Sequence, residues 1–370
     1  MKTAFTELVD VEHPLVAFNR SAAVVTEASK AGALGVLAAA AYSPEELDAQ
    51  LTWIEKQLNG APYGVDLLVS RTTAAGDPSD LMASLRSQIP AEHIEYLDDL
   101  MKRYGIEPLP EGARLKHDGQ SLDPSFVPLL LEVCFSHDLS LIANALGTPP
   151  AAMLEGAKSA GVPIAALVGR REHAERQLVA GVDVLVAQGY EAGGHTGTVA
   201  SMVLTPEVVS IAGDVPVLAA GGIASGDQLA AALALGAAGG WAGSVWLSTV
   251  EDVAITAIKD KFLAASSSDT LRSPSRTGKP ARQLRSAWHD EWERSGISAL
   301  PMPLQSVLTA EAWERTDRAA EAGNPQAIAL ESFFIGQVVG SFTSVRTTAE
   351  VVADIMGSCE RRLRYLGALT

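Results

Sequence analysis

The chain is poor in cysteine and in aromatic residues. Cys134 and Cys359 are its only cysteines, and aromatic residues make up 5% of the 370 positions. Two cysteines so far apart exclude a disulfide framework, and the sequence has no Cys-x-x-Cys pair of the kind that binds a structural metal. We expect both to be reduced thiols, as in a cytoplasmic protein. Few large rings and 32 glycines favour closely packed layers of helices and strands.

Positive charge and long apolar segments are also scarce. The sequence has 28 Lys and Arg against 44 Asp and Glu, a formal net charge of −16. An acidic chain does not provide the positive field that nucleic-acid binding requires, so we expect no nucleic-acid partner. The apolar run at residues 33–41 is too short to span a membrane. The first residues lack the apolar core of a signal peptide, which again predicts a cytoplasmic location.

Short apolar segments alternate with helical segments along most of the chain. Eight strands are predicted, at residues 15–18, 34–37, 63–69, 139–143, 163–168, 182–187, 215–219 and 241–247. Continuously apolar strands separated by helices indicate a parallel sheet that is covered on both faces. Eight such units fit a closed barrel better than an open sheet. The predicted fold class is therefore α/β, a (β/α)₈ TIM barrel formed by residues 1–265.

Two regions interrupt this alternation. Residues 71–123 are polar and rich in turn residues, which predicts an insertion after the third strand. Residues 266–346 start with a Ser- and Arg-rich stretch, interpreted as a linker, and continue with helical segments. We predict that they form a smaller, mainly helical accessory domain that serves as a substrate lid. Residues 347–370 are predicted to form a C-terminal helix that packs back on the barrel.

Glycine-rich segments follow three of the predicted strands. One contains Gln188 and ends in Gly193-Gly194-His195, and the others contain Gly221-Gly222 and Gly243-Ser244. Catalytic residues of TIM barrels lie at the carboxyl ends of the strands, and a phosphate site often follows the last two. Glycines leave backbone N–H groups free for an anion, and His195 has a pKa suited to acid–base chemistry. Each segment taken alone is equally consistent with a tight surface turn.

Taken together, these segments resemble the nitronate monooxygenases, which are FMN-dependent barrel enzymes related to an FMN-dependent enoyl-acyl carrier protein reductase. The resemblance extends over residues 13–265 apart from the insertion, and continues weakly into residues 277–282 and 336–337. It implies that the chain binds FMN and needs no metal. The implied phosphate ligands are Gly221, Gly222, Gly243 and Ser244. The resemblance places Gln188, Gly193 and Gly194 along the ribityl chain and ring, and the catalytic His195 over the flavin.

Two strand ends depart from the family pattern. Where the family usually has Ala-Pro-Met, whose backbone touches the flavin, this chain has Ala17, Phe18 and Asn19. Where the family usually has an asparagine that contacts the flavin, this chain has Asp66. The resemblance implies that these residues also line the cofactor, and that a carboxyl group changes the environment of the ring.

The resemblance favours oxidation of an alkyl nitronate by O₂. A first alternative keeps FMN but uses NAD(P)H to reduce an enoyl thioester or a quinone. A second alternative is a non-catalytic flavin-binding protein. A basic cluster, Arg272, Arg276, Lys279 and Arg282, is consistent with an anionic substrate or a CoA-type phosphate, although a solvated linker is the commoner explanation of such a cluster. The sequence leaves open whether the chain forms a homodimer.

Overall fold

A computed structural model describes residues 1–40, 42–69, 78–110 and 126–369 of the chain, with the side chains of residues 78–81 left aside. Eight parallel strands close into a barrel, because each strand pairs with the next and the last pairs with the first. The barrel strands, in their order around the barrel, are β1 (Leu15–Asn19), β2 (Leu34–Ala38), β3 (Tyr63–Leu67), β4 (Leu141–Asn144), β5 (Ile164–Val168), β6 (Val184–Gln188), β8 (Val217–Ala220) and β9 (Gly239–Ala242). The predicted (β/α)₈ TIM barrel is confirmed.

Helices follow the barrel strands and cover the outside of the barrel. They are α2 (Ala22–Lys30), α3 (Pro44–Leu58), α6 (Val127–Ser136), α7 (Ala151–Ala160), α8 (Arg171–Ala180), α9 (Ser201–Ala212), α10 (Gly226–Ala234) and α11 (Thr256–Ala264). The start of α3 shows how local sequence fixes a boundary, because the Ser43 hydroxyl accepts from the Glu46 N–H at 3.1 Å and the Glu46 carboxylate accepts from the Ser43 N–H at 2.9 Å. This reciprocal pair satisfies two N–H groups that the helix leaves free, and Pro44 occupies the first turn.

Apolar side chains fill the barrel interior. The inward-facing set includes Val36, Leu141 and Val186, all of them inaccessible to solvent. The short helix α1 (Ala4–Val9) adds Phe5 to this cluster. The Thr3 hydroxyl before α1 donates to the carbonyl of Ala238, just ahead of β9, at 2.7 Å. Helix α1 therefore closes the amino-terminal end of the barrel and leaves the other end open for a site.

The last barrel strand is shorter than the sequence predicts. Instead of a strand over residues 241–247, β9 ends at Ala242 and a 3-10 turn occupies Ser244–Ser248. The Trp246 indole N–H donates to the carbonyl of Ala242 at 2.7 Å, and the ring is fully buried. Trp246 therefore lies outside the strand that the sequence predicts for residues 241–247. A short apolar run has the same appearance in a strand and in a buried helical turn, so periodicity does not separate the two.

Residues 266–279 are not a solvated linker. They contain β10 (Thr270–Ser273), which pairs antiparallel with β11 (Ala281–Leu284), and β11 in turn pairs with β7 (Gly194–His195). Three helices follow, α12 (Ala287–Ser295), α13 (Leu304–Glu321) and α14 (Pro325–Leu330). The described part of the predicted insertion forms α4 (Pro78–Ser87) and α5 (Ala91–Arg103), which pack against α13. Residues 71–77 and 111–123 of that prediction lie outside the described residues.

The C-terminal helix α15 (Thr348–Gly367) packs against α10 and α2. Val351 and Ile355 are buried on its inner face, whereas Leu363 is only partly buried. The contact with α10 is close at Gly226, whose N–H donates to the Ser358 hydroxyl at 3.1 Å. None of the helices in the described part of the chain is both long and apolar enough to cross a membrane.

We predict that Gly226→Ala destabilises the fold. The added methyl group would overlap the backbone of Cys359 and the carbonyl oxygen of Ile355, so α15 would have to move away from α10. Overpacking of this kind costs about 3 kcal/mol in the free energy of unfolding, measured by chemical denaturation. The control is Gly357→Ala in α15, where the methyl group meets only the end of Arg361 at 3.4 Å. That control should raise stability by up to about 1 kcal/mol, and equal losses in both variants would contradict the prediction.

Candidate active site at the barrel mouth

The carboxyl ends of four neighbouring strands bring most of the predicted site residues together. Around the barrel the order is β6, β8, β9 and β1, with Gln188 opposite Ala220 and Ala17 opposite Ala242. The segments that follow these strands include Gly221-Gly222 and Gly243-Ser244. Residues separated by more than 200 positions in the sequence thus lie at one side of the same mouth.

The two glycine pairs present unpaired backbone N–H groups. Gly221 and Gly222 have φ angles of +90° and +72°, a left-handed conformation that other residues adopt at a cost. The N–H groups of Gly222 and Gly243 donate no hydrogen bond to any of the residues described. A Cβ atom on Gly243 would lie 3.6 Å from the Phe18 ring, so this glycine keeps the backbone close to the end of β1. Two N–H donors at neighbouring strand ends form an arrangement suited to an anion.

Glu191 holds the loop after β6 in place through hydrogen bonds to Ser201. It was not among the predicted site residues. Its carboxylate accepts from the N–H of Ser201, at the start of α9, at 3.2 and 3.3 Å, and also accepts from the Ser201 hydroxyl. The Glu191 carbonyl accepts from the N–H of Gln337 at 3.0 Å. The neighbouring Gly336 N–H donates to the Ser244 hydroxyl at 2.7 Å. This hydrogen bond leaves the Ser244 O–H free to donate.

His195 lies in β7, beside the open end of the barrel. Its Nε2 is 2.8 Å from the Thr277 hydroxyl, and its ring centre is 6.0 Å from that of Phe334. Part of the His195 side chain is accessible to solvent, and many protein atoms surround the rest of it. This combination is typical of a residue that lines a concave surface. This partial desolvation lowers the pKa of His195 below 6.5, and the nearby cations Lys279 and Arg272 lower it further. The imidazole is therefore neutral at pH 7.

Asp66 is a buried carboxyl group at the end of β3. It is 4% exposed, and its Oδ1 has no hydrogen-bond partner among the described residues. A Cβ atom on Gly64 would contact Val36 and Leu141, which face the barrel interior, and side chains two residues apart in a strand share a face. Asp66 therefore points into the barrel near its open end. Burial raises the pKa of Asp66 to about 7, although a hydrogen bond from the Ala145 N–H opposes the shift.

The end of β1 offers its backbone and one ring to the mouth. The Asn19 amide is already used, because it donates to Asp252 at 2.9 Å and accepts from the Ser21 N–H at 2.6 Å. Ala17 packs in the cluster outside the barrel, so its side chain does not reach the mouth. Phe18 packs on Trp241, with ring centres 5.7 Å apart. In contrast, the Gln188 amide makes no hydrogen bond with any described residue and stays available.

The three arginines of the β10–β11 hairpin pack on aromatic rings, whereas Lys279 is exposed. Arg282 is 2% exposed and donates to the Tyr190 carbonyl at 3.2 Å, with its guanidinium 4.6 Å from the centre of the Tyr190 ring. Arg272 lies 5.2 Å from the same ring. Arg276 packs on the rings of Trp313 and Phe334, at 4.0 and 5.0 Å. Composition suggested a linker, and only the pairing of β11 with β7 reveals this arrangement.

Comparisons with known proteins agree with one another. A family model described as nitronate monooxygenase matches residues 2–357. A Mycobacterium tuberculosis protein named as a monooxygenase is 49% identical over 359 residues, covering 96% of each chain. An octahydro-indene-carboxyl-CoA dehydrogenase of the same species is 30% identical over 291 residues, covering 77% of this chain and 66% of its own.

Solved structures are similar in fold. A nitroalkane oxidase from Streptomyces ansochromogenes has a TM-score of 0.78 at 24% identity, covering 98% of this chain and all of that one. FabK from Thermotoga maritima has a TM-score of 0.74 at 23% identity, with full coverage of both chains. At these identities the likeness supports the barrel fold alone.

We predict that Asp66→Asn removes a pH-dependent loss of stability. The folded protein keeps the Asp66 carboxyl protonated up to about pH 7, whereas an unfolded aspartate releases its proton near pH 3.8. The free energy of unfolding therefore falls as the pH rises between these values and is constant above them. The full difference corresponds to at most about 4 kcal/mol. Denaturation of ligand-free protein between pH 4 and 8 should show this fall in wild type and in the exposed control Asp214→Asn. The same fall in Asp66→Asn would contradict the prediction.

We also predict that Lys279→Gln raises the pKa of His195 toward 6.5. Removing a neighbouring cation favours the protonated imidazole, and Arg272 keeps the shift incomplete. The pKa is measured by NMR titration of the His195 ring. The control Lys158→Gln makes the same change of charge in the last turn of α7, at the opposite end of the barrel. An unchanged pKa in Lys279→Gln, or an equal shift in both variants, would contradict the prediction.

Proposed function

Because the chain belongs to the nitronate monooxygenase family and is accordingly a flavin-dependent oxidoreductase, we propose that its cofactor is FMN and that it oxidises an alkyl nitronate with O₂. The observation that supports this most directly is the set of unpaired polar groups at one barrel mouth. These are the N–H groups of Gly222 and Gly243, the Gln188 amide and the Oδ1 atom of Asp66. The non-catalytic alternative is not retained.

These groups fit a flavin mononucleotide. The backbone of Gly221, Gly222, Gly243 and Ser244 would hold the phosphate, since N–H donors can bind an anion in a chain of net charge −16. Gln188, Gly193 and Gly194 would follow the ribityl chain. Gly194 has space for it, because no atom lies within 4 Å of the position that a Cβ would occupy, whereas Gly193 is approached there by the Ile335 backbone at 2.9 Å. Asp66 and the backbone of Ala17, Phe18 and Asn19 would border the ring.

His195 and its neighbours would bind the substrate. A nitronate is an anion, and Lys279 and Arg272 provide positive charge close to the imidazole. His195 would donate a hydrogen bond to a nitro oxygen, and its neutral form would accept the α-proton of an uncharged nitroalkane. The flavin supplies the electron transfer. We propose that residues 266–346 limit access to this place, because Phe334 and the β10–β11 hairpin lie next to His195.

A second candidate function is NAD(P)H-dependent reduction of an enoyl thioester or a quinone. Arg272 favours a substrate that carries phosphates, because its described partners are the Thr196 carbonyl and the Tyr190 ring, and neither is a carboxylate. The relative named as a CoA dehydrogenase is consistent with it. This candidate differs from the first in the source of electrons.

Three observations on the purified protein separate the candidates. A visible spectrum shows whether flavin is bound, and release by heat followed by chromatography identifies it as FMN. O₂ consumption that requires a nitronate supports the first candidate. Rapid anaerobic bleaching of the flavin by NAD(P)H, without nitronate-dependent O₂ consumption, would support the second candidate and contradict the first.

We predict that Gly222→Asp folds but is purified without FMN. The carboxylate would repel the phosphate and also Glu191, whose Oε1 is 3.3 Å from where the new Cβ would lie. Gly222→Ala is the control, because it introduces the same backbone strain at φ +72° without charge, and it should keep more FMN. Flavin absorbance per mole of protein is measured, with circular dichroism as the test of folding. Full FMN content in Gly222→Asp would show that the phosphate lies elsewhere.

We predict that His195→Asn keeps FMN but loses activity selectively. With a neutral nitroalkane, loss of proton transfer should lower kcat/KM by about 10²- to 10⁴-fold. With the preformed nitronate the loss should be smaller, since no proton has to be removed. Both substrates are assayed with the same preparation. Activity near wild type on both would exclude a catalytic role for His195, and an equally large loss on both would restrict it to binding.

A further inference from the structure

The contacts of Thr277 bear on which nitrogen of His195 carries the proton. The Thr277 hydroxyl lies 2.8 Å from His195 Nε2 and also donates to the Lys279 carbonyl at 3.2 Å. A threonine hydroxyl has a single proton. When that proton points to the Lys279 carbonyl, as the 3.2 Å contact allows, the Thr277 oxygen accepts a hydrogen bond from Nε2–H. The neutral imidazole then carries its lone pair on Nδ1, which makes no hydrogen bond with any described residue.

The turn that contains Thr277 is held firmly in place. The N–H groups of Thr277 and Gly278 both donate to the Pro274 carbonyl, at 3.2 and 2.7 Å. Gly278 has a φ of +83°, and an added Cβ would overlap the backbone at Leu300 and Met302, so the turn is packed against that segment. On the other side, the Thr309 hydroxyl of α13 donates to the Arg276 carbonyl at 2.8 Å.

The imidazole is fixed at two points. The backbone of His195 pairs with Ala281 of β11, and its Nε2 is hydrogen-bonded to Thr277 in the turn that joins β10 to β11. The charged groups that act on the ring are Lys279 and Arg272, both cations that favour the neutral form. The Phe334 ring packs nearby. A hydrogen bond to one nitrogen of a neutral imidazole also fixes the direction of the lone pair on the other nitrogen. A general base requires such a fixed direction.

We propose that Thr277 is a positioning residue that holds His195 as the Nε2–H tautomer, so that Nδ1 is the atom that accepts the α-proton of a neutral nitroalkane. This inference rests on the proposed function. In the step, the Cα–H bond of the nitroalkane breaks, its electron pair forms the C=N bond of the nitronate, and the π pair of one N=O bond moves to that oxygen, which takes the negative charge. The proton forms a new bond to Nδ1, and Thr277 continues to accept from Nε2–H of the resulting imidazolium.

The first test is the tautomer itself, which does not depend on turnover. The ¹⁵N NMR shifts of the imidazole distinguish a nitrogen that bears a proton from one that bears a lone pair. With histidine labelling, seven residues contribute, and His195→Asn identifies the signals of interest. We expect a protonated Nε2 in wild type and in Thr277→Ser, and a mixture of tautomers in Thr277→Val. A proton on Nδ1 in the wild-type protein would overturn the proposal whatever the variants do.

The second test compares the loss of kcat/KM on the neutral nitroalkane with the loss on the preformed nitronate. Thr277→Val should lower kcat/KM for the neutral nitroalkane by about five- to tenfold, the effect of one typical hydrogen bond, and Thr277→Ser should restore it. Activity on the preformed nitronate should change less than twofold. Equal losses on both substrates, or none on either, would overturn the proposal.

Two controls keep the outcomes distinct. FMN content and thermal midpoint show whether Thr277→Val keeps the fold, and Thr277→Ala replaces it if it does not. If the wild-type protein turns over neither substrate, the proposed function fails, while the NMR experiment still decides the role of Thr277.

Discussion

Closure of the barrel is the constraint on which the rest of the structure depends. An eight-stranded parallel barrel directs every strand toward the same end, so the segments after β6, β8, β9 and β1 must meet there. The amino-terminal end is closed by α1 through Phe5. What remains open is a mouth bordered by unpaired N–H groups, an amide and a buried carboxyl. The anion site proposed here depends on backbone geometry, because the net charge of so acidic a chain does not favour one.

The second sheet connects this mouth to the remainder of the chain. Pairing of β11 with β7 joins the loop after β6 to the hairpin, and the hairpin turn is held by α13. His195 therefore receives its position from one part of the chain and its hydrogen-bond partner from another. The same hairpin brings Arg272 and Lys279 close to the ring, so a single element controls both the orientation and the charge state of the imidazole.

The alternation of apolar segments with helices was enough to predict the barrel, and the glycine pairs were enough to predict which strand ends carry the candidate site. Both signals are local. Three features required tertiary contacts. Trp246 belongs to a 3-10 turn because its indole bonds to Ala242. Glu191 acts through Ser201, ten residues away. Thr277 reaches His195 across 82 positions. None of these three hydrogen bonds leaves a periodic pattern in the sequence, and a Ser- and Arg-rich composition even favoured a solvated linker over the hairpin that exists.

The central claim is that FMN binds with its phosphate on backbone N–H groups at the barrel mouth. A crystal structure of the protein with FMN tests this most directly. The account predicts that the phosphate accepts hydrogen bonds from the N–H groups of Gly222 and Gly243, with the ring bordered by Asp66 and facing His195. A phosphate bound instead by Arg272, Lys279 or Arg282 on the hairpin would contradict it.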